Sequence, residues 1–173
     1  MLSEKLLYQD YFSNKISEEI LAKELKLSDK AFLFSVHEKM EKDLVEKEAQ
    51  MLEYHVYSVF LWEAHVSREN SETLASLVDI LNRLLLCDWH KQHENIVILL
   101  QKISSESSVE ILYQAIYLPL EYLKWDDNFS FQKRCVRAIA AIQGAQAIMA
   151  LQKLAQDENE IIRGLAQRKL RSI

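Results

Sequence analysis

The segment CDWHKQHENI, residues 87–96, places Asp88, His90, His93 and Glu94 within seven positions. Imidazoles and carboxylates at this density are the groups that hold zinc or move protons near neutral pH. The zinc-protease pattern His-Glu-x-x-His sets its histidines four apart with the glutamate beside the first, and its inverse sets the glutamate beside the second on the inner side. The run HKQHE follows neither order. A metal would have to draw His90 and His93 together with Glu94 or a remote carboxylate such as Asp126 or Asp127. A local account gives every member a structural role, in which Asp88 caps a helix, His93 lies on its buried face, and Glu94 sits four residues from His90, within side-chain reach. On that account neither a metal nor any other cofactor is expected.

The elements that position these groups are helices. The 173 residues include two glycines and one proline, too few for hairpins or a phosphate-cradling loop. An amphipathic segment near residues 2–12 comes first; Ser17 opens SEEILAKEL, and Ser28 opens SDKAFLFSVHEKMEK. Asp43 and Glu46 fit a capping box that starts a long helix to about Val66, apolar over much of its circumference. Asn70 or Ser71 caps the next helix and Asp88 the one after, with Trp89, His93, Ile96, Leu100 and Ile103 on one face. Ser107 and Glu110 form a second capping box, and Pro119 falls inside the helix it starts, kinking it or ending it one residue early. Asp127 or Asn128 caps FSFQKRCVRAIAAIQ, Gly144 supplies a left-handed stop, and the last helix follows Asp157.

Composition, at 49% hydrophobic and 27% charged, is that of an ordinary globular chain. The net charge of -5 is uneven: residues 126–173 hold 8 Lys+Arg against 5 Asp+Glu, and the rest 13 against 21. This acidic majority disfavours bulk nucleic-acid binding and suits a basic partner. Cys87 and Cys135 are too far apart for a zinc knuckle and too few for a disulfide scaffold, so both are expected as buried thiols. The stretch MLSEKLLYQD lacks a signal-peptide core and YHVYSVFLW is too short to span a bilayer, from which a cytoplasmic location and no membrane association are expected.

Near the end the chain repeats itself. VRAIA at 136–140 matches IRGLA at 162–166 with an offset of 26, each a β-branched residue, Arg, a small residue, an aliphatic and Ala. Self-similarity at this period, in helices too short to bury their own faces, marks stacked helical pairs. DENEIIRGLA from Asp157 and AAIQGAQAIMALQKLA from Ala140 resemble the turn aspartate and the helix-glycine-helix joint of HEAT repeats, over roughly residues 88–171. With DWHKQHENIVILLQKI, SVEILYQAI and YLKWDDNFSFQKRCVRAI, the chain resembles small bacterial HEAT-repeat proteins. The resemblance implies an all-α fold, an α-solenoid of HEAT-like pairs with an N-terminal helical cap, and an immunity or partner-binding role. Residues 1–67 would form the cap region and 68–173 the repeats, packed as one continuous domain. The first repeat departs from the pattern, with Val97 where the inner Arg belongs and Pro119 in its second helix.

A non-enzymatic protein-binding module is therefore expected, with an acidic immunity protein covering a basic toxin domain as its leading form. Candidate partner-binding residues are Tyr117, Tyr122, Trp125 and Phe129 as aromatic anchors, with Asp126 and Asp127 beside them and His90 and Glu94 at the same end. Three other functions fit parts of the sequence. Lys133, Arg134 and Arg137 could form the basic groove of a HEAT-like DNA glycosylase, although a solvated helix face explains them as well. Residues 15–42 resemble a helix-turn-helix of a DNA-binding regulator, yet Phe32, Leu33 and Phe34 stand where base-reading polar residues are wanted, and six Lys balance six acids. An assembly scaffold, self-associating through its amino-terminal helices, is the third.

Overall fold

The computed structural model describes residues 3–29, 31–65 and 74–173, and among them every regular element is helical. The chain divides into two compact units, Met1–Ser76 and Leu77–Ile173. The boundary expected near residue 67 and the expected cap at Asn70 or Ser71 lie outside the described residues.

The amino-terminal unit holds α1 (Glu4–Phe12), α2 (Glu18–Glu24), α3 (Phe32–Glu46) and α4 (Ala49–His65). Ser3 and Ser17 start the first two by accepting from the amides of Leu6 and Ile20. Asp29 rather than Ser28 turns the chain into α3, taking the Ala31 amide at 2.9 Å. The expected capping box at Asp43 and Glu46 is not formed. Asp43 lies inside α3 and is buried, and the chain breaks at Lys47, whose φ of 56° places it in the left-handed region. The pattern misled because an acid three residues before a glutamate fits a cap equally well when its side chain is turned into the core. Leu33, Val36 and Met40 of α3 pack with Leu52, Val56 and Val59 of α4 into the unit's interior, with Leu7 and Tyr8 from α1 and Leu21 from α2 also buried.

The carboxy-terminal unit holds α5 (Val78–Leu85), α6 (His93–Ile103), α7 (Val109–Ala115), α8 (Ser130–Ile142), α9 (Ala145–Leu154) and α10 (Glu160–Leu170). Its helices form two rows. In one, α5 touches α7 and α7 touches α9; in the other, α6 touches α8 and α8 touches α10, while α8 also packs on α7 and α9. The repeated VRAIA and IRGLA segments fall in α8 and α10 and so share a row. Their arginines are used differently. Arg163 donates to the Asp157 and Glu158 carbonyls at 2.6 and 3.0 Å, whereas Arg137 is exposed.

Several helix ends differ from expectation. Asp88 is exposed and caps nothing; α6 starts five residues later, with Gln92 at its N-cap. Ser107 does not cap, and Glu106–Ser108 make a 3-10 turn into α7, which ends at Ala115, well before Pro119. Asp126, not Asp127 or Asn128, starts α8 by accepting from the Ser130 amide at 2.6 Å and the Asn128 amide at 3.1 Å. Asn159 starts α10 through the amides of Ile161 and Ile162. Cys135 is buried as expected but Cys87 is partly exposed, and neither forms a disulfide.

The left-handed stop expected at Gly144 is made by Gln143, with a φ of 60°. Gly144 is instead extended, and its missing side chain matters for another reason: a Cβ there would stand 2.7 Å from the Glu106 carboxylate, which accepts from the Gln146 amide at 3.4 Å. A left-handed L-residue costs about 1–2 kcal/mol. Gln143→Gly is therefore expected to stabilise the fold by about 1 kcal/mol after the glycine's extra unfolded-state entropy is deducted. Urea unfolding should show a higher midpoint at unchanged slope; an unchanged or lower midpoint would contradict it.

Candidate functional site

Three places gather groups capable of chemistry or recognition. The first is inside the amino-terminal unit, at residues that the sequence does not mark as a site, Asp43 being read there only as a helix cap. His55 on α4 donates from Nδ1 to Asp43 Oδ2 of α3 at 2.5 Å, and both residues are only 3% exposed. Its Nε2 stands 3.6 Å from Glu4 Oε1 of α1, too far for a normal hydrogen bond, and Lys39 Nζ of α3 holds that same oxygen at 2.7 Å. Around this cluster the Tyr8 ring stacks on Tyr54 at 4.7 Å and meets His55 edge-on, and the Tyr11 and Tyr57 hydroxyls bond at 2.7 Å. Burial opposes a charge on His55, but its bonding to Asp43 and attraction to Glu4 outweigh burial and raise its pKa above 6.5. Burial likewise pushes Glu4 upward, and His55 and Lys39 overcome it, bringing its pKa to about 2. The result is an ion cluster tying three helices, with Asp43 and His55 buried and Glu4 and Lys39 half-buried at its edge. A signal for it exists in the sequence: His55 follows Leu52 by three and precedes Val59 by four, the spacing of core positions on α4.

The second is the expected cluster at residues 87–94, and its ring nitrogens are fully engaged. His90, 2% exposed, donates from Nε2 to the Leu84 carbonyl at 2.9 Å and accepts the Gln92 amide at Nδ1 at 3.1 Å. His93 donates from Nε2 to the Cys87 carbonyl at 2.6 Å and accepts from the Tyr122 hydroxyl at Nδ1 at 2.9 Å. The Leu84 carbonyl needs a proton on Nε2 of His90 and the Gln92 amide needs a lone pair on Nδ1, which fixes His90 as a neutral imidazole; His93 keeps its Nε2 proton for the Cys87 carbonyl, and in its neutral form Nδ1 accepts from Tyr122. The rings stack at 4.4 Å, and Phe131 meets His93 edge-on. Burial lowers the pKa of both, that of His90 to about 4. A metal would have to break a backbone bond to reach His90, and to displace either the Tyr122 hydroxyl or the Cys87 carbonyl to reach His93. No group of three or more potential metal ligands is found among the described residues. Glu94 does not pair with His90; its carboxylate approaches Arg134 Nε at 3.5 Å.

The third is a surface cleft of about 360 Å³ between the end of α7 and the start of α8, with Pro119, Leu120, Asp127, Phe129 and Phe131 in its wall. The stretch of chain between Lys124 and Asp126, both also in the wall, carries Trp125, which is 88% exposed. Phe129 has a φ of 53°, a left-handed conformation that is strained for a bulky side chain. Asp126 commits its carboxylate to the start of α8, and its bonds to Ser130 hold its pKa below the usual value. Asp127 is exposed.

Of the eight residues expected to meet a partner, Trp125, Asp126, Asp127 and Phe129 thus come together around this cleft. Tyr122 is nearby in sequence but turns its hydroxyl to His93. Tyr117 is exposed and donates to Asp157 Oδ2 at 2.5 Å. Glu94 is half-buried, and His90 is enclosed. No protein-family model matches this chain, and no curated protein or solved structure does either.

The histidines set opposite pH dependences in the two units. His55, with a raised pKa, contributes stability that is complete below 6.5 and is lost as pH rises through its folded value. His90 and His93, with lowered values, contribute stability that is complete above 6.5 and is lost as pH falls, for His90 toward about 4 and on the order of 3 kcal/mol. Residue-resolved hydrogen exchange, corrected for intrinsic rates, should show α4 opening more readily at about pH 9 than pH 6, and α6 more readily at about pH 4.5 than pH 7. Protection that moves in the same direction in both helices would contradict this assignment.

Removing the hydroxyl in Tyr122→Phe leaves His93 Nδ1 without its donor, and should cost about 1–3 kcal/mol in urea unfolding. A cost near zero would mean that water or another donor takes its place.

Proposed function

We propose that this chain is a non-enzymatic protein-recognition module, built as a HEAT-like solenoid with a helical cap and working in the cytoplasm. The observation that carries this reading is Trp125, an almost fully solvated indole beside a cleft with apolar walls. Large aromatic side chains left in water at the edge of a concave surface are the usual anchors of protein interfaces, where they bury the most area for the fewest rotatable bonds. The two-row packing of α5 to α10 supports the solenoid, since such rows expose one side of each helix for binding.

The enzymatic reading is weaker because the most reactive-looking residues are already engaged within the fold. His90 and His93 use every ring nitrogen in local bonds, and His55 sits buried between carboxylates. The DNA reading is weaker because Arg134 faces Glu94, which interrupts the basic face that Lys133 and Arg137 would otherwise share with it. No helix among the described residues is long and apolar enough to cross a membrane. The chain's net charge of -5 favours a basic partner, and the resemblance to small HEAT-repeat immunity proteins suggests a toxin domain as that partner.

The test is to use the full chain as bait in native extract and elute at high salt. The expected result is one small basic protein, lost when Trp125→Ala is the bait although that variant unfolds at the same urea concentration. Recovery of nucleic acid alone, or equal recovery by both baits, would overturn the reading.

A further inference from the structure

The cleft beside Trp125 has a chemistry that narrows what enters it. Its floor and sides are aliphatic and aromatic, from Leu118, Pro119, Leu120 and Leu123 to Phe129 and Phe131. Its charged groups are three carboxylates and one ammonium, Glu121, Asp126 and Asp127 against Lys124. These do not cancel evenly. Lys124 is drawn to Glu121 at 3.7 Å, and Asp126 is bound to the amides that start α8. Asp127 remains, its side chain exposed and its carboxylate without a partner among the described residues. The unmatched requirement of the cleft is therefore one positive charge on an apolar stem.

We infer that this cleft seats an arginine side chain presented by the protein partner, with its stem along the aliphatic wall and its guanidinium shared between the Phe129 ring and the Asp127 carboxylate. This assignment rests on the recognition reading above and adds the chemistry of the contact. Arginine fits better than lysine because a guanidinium is planar, stacks on an aromatic face and bonds a carboxylate through two donors at once. An ammonium needs more of its water and gains little from the ring. An anionic ligand would meet the excess of carboxylates, and a purely apolar one would leave Asp127 desolvated without a partner. The left-handed backbone at Phe129 fits the same picture, because it sets a ring into the cleft wall at the point where Asp126 has just fixed the chain.

The test titrates N-acetyl-arginine N-methylamide into the full-length chain and follows amide shifts of residues 118–132 by NMR. Saturable shifts are expected, with a dissociation constant on the order of millimolar for so small a probe. The citrulline analogue, which keeps the shape and loses the charge, should bind about tenfold more weakly, and Asp127→Asn should weaken the arginine probe by about tenfold while its urea midpoint is unchanged. Equal binding of citrulline and arginine, no saturable shift, or an unaffected Asp127→Asn would each overturn the assignment. The two readings fail separately. A partner lost on Trp125→Ala while arginine leaves the cleft unmoved overturns only the arginine seat; arginine saturating the cleft while native extract yields no protein partner upholds the seat and overturns protein recognition.

Discussion

The helices of this chain have to end without a left-handed glycine, and much of the structure follows from that constraint. Neither glycine adopts such a backbone: Gly164 lies within α10 and Gly144 is extended. Among the described residues, the positive-φ positions are Asn14, Lys26, Lys47, Ser104, Phe129 and Gln143, all carrying side chains that disfavour that region relative to glycine. Helix starts are likewise satisfied by polar side chains, with Asp29, Asp126 and Asn159 accepting amides that would otherwise be orphaned. Carboxylates that look catalytic by residue type are thereby committed to backbone geometry. His90 and His93 follow the same pattern, since they bond the carbonyls of Leu84 and Cys87 at the end of α5, where no α-helical amide follows.

The chain solves the problem of buried histidine in two opposite ways. In the carboxy-terminal unit burial favours neutral rings, each of which donates to a carbonyl, and the Gln92 amide at His90 forbids a second proton there. In the amino-terminal unit His55 faces two carboxylates, so the proton that burial would remove is retained. The second arrangement is the more demanding energetically. A buried ion pair gains its Coulomb energy against a desolvation cost of similar size, so its value lies in fixing which helices meet. Here one cluster specifies the meeting of α1, α3 and α4 through Glu4, Lys39, Asp43 and His55.

The sequence carried the helical class and most helix bodies, because apolar residues at spacings of three and four survive any error in the ends. The buried faces of α4 and α6 are legible for that reason, down to His93 among Ile96 and Leu100. Helix boundaries were less legible, because an Asp or Ser near a helix start has several neighbours that would serve equally. Asp43, Asp88 and Asp127 all satisfied the local pattern, and tertiary position decided against each. The surroundings of Trp125 were legible as a cluster of aromatic and acidic types, but not as a cleft, which depends on α7 stopping at Ala115 and on the turn that follows. The ion cluster was missed because its members are separated by up to fifty-one positions, from Glu4 to His55, and no local period links them.

The place where the chain's regularity fails is also where its aromatic and acidic surface groups gather. Between Ala115 and Ser130 there is no α-helix, only a 3-10 turn at Glu121–Leu123. A continuous helix pair would have buried these apolar residues against its neighbour or turned them to solvent one at a time. Pro119 removes an amide donor and restricts the residue before it, so the chain cannot extend α7 through this region. Asp126 then restarts the next helix from a fixed point, and Phe129 takes a left-handed turn to meet it. Apolar side chains set on such an irregular path leave a hollow between them, while Trp125, at the outer bend, has no neighbour to cover it. An interruption of this kind costs stability, and a segment that only connected two helices would not need an exposed indole or a strained phenylalanine. Their presence together is the physical ground on which the proposed contact with another molecule rests.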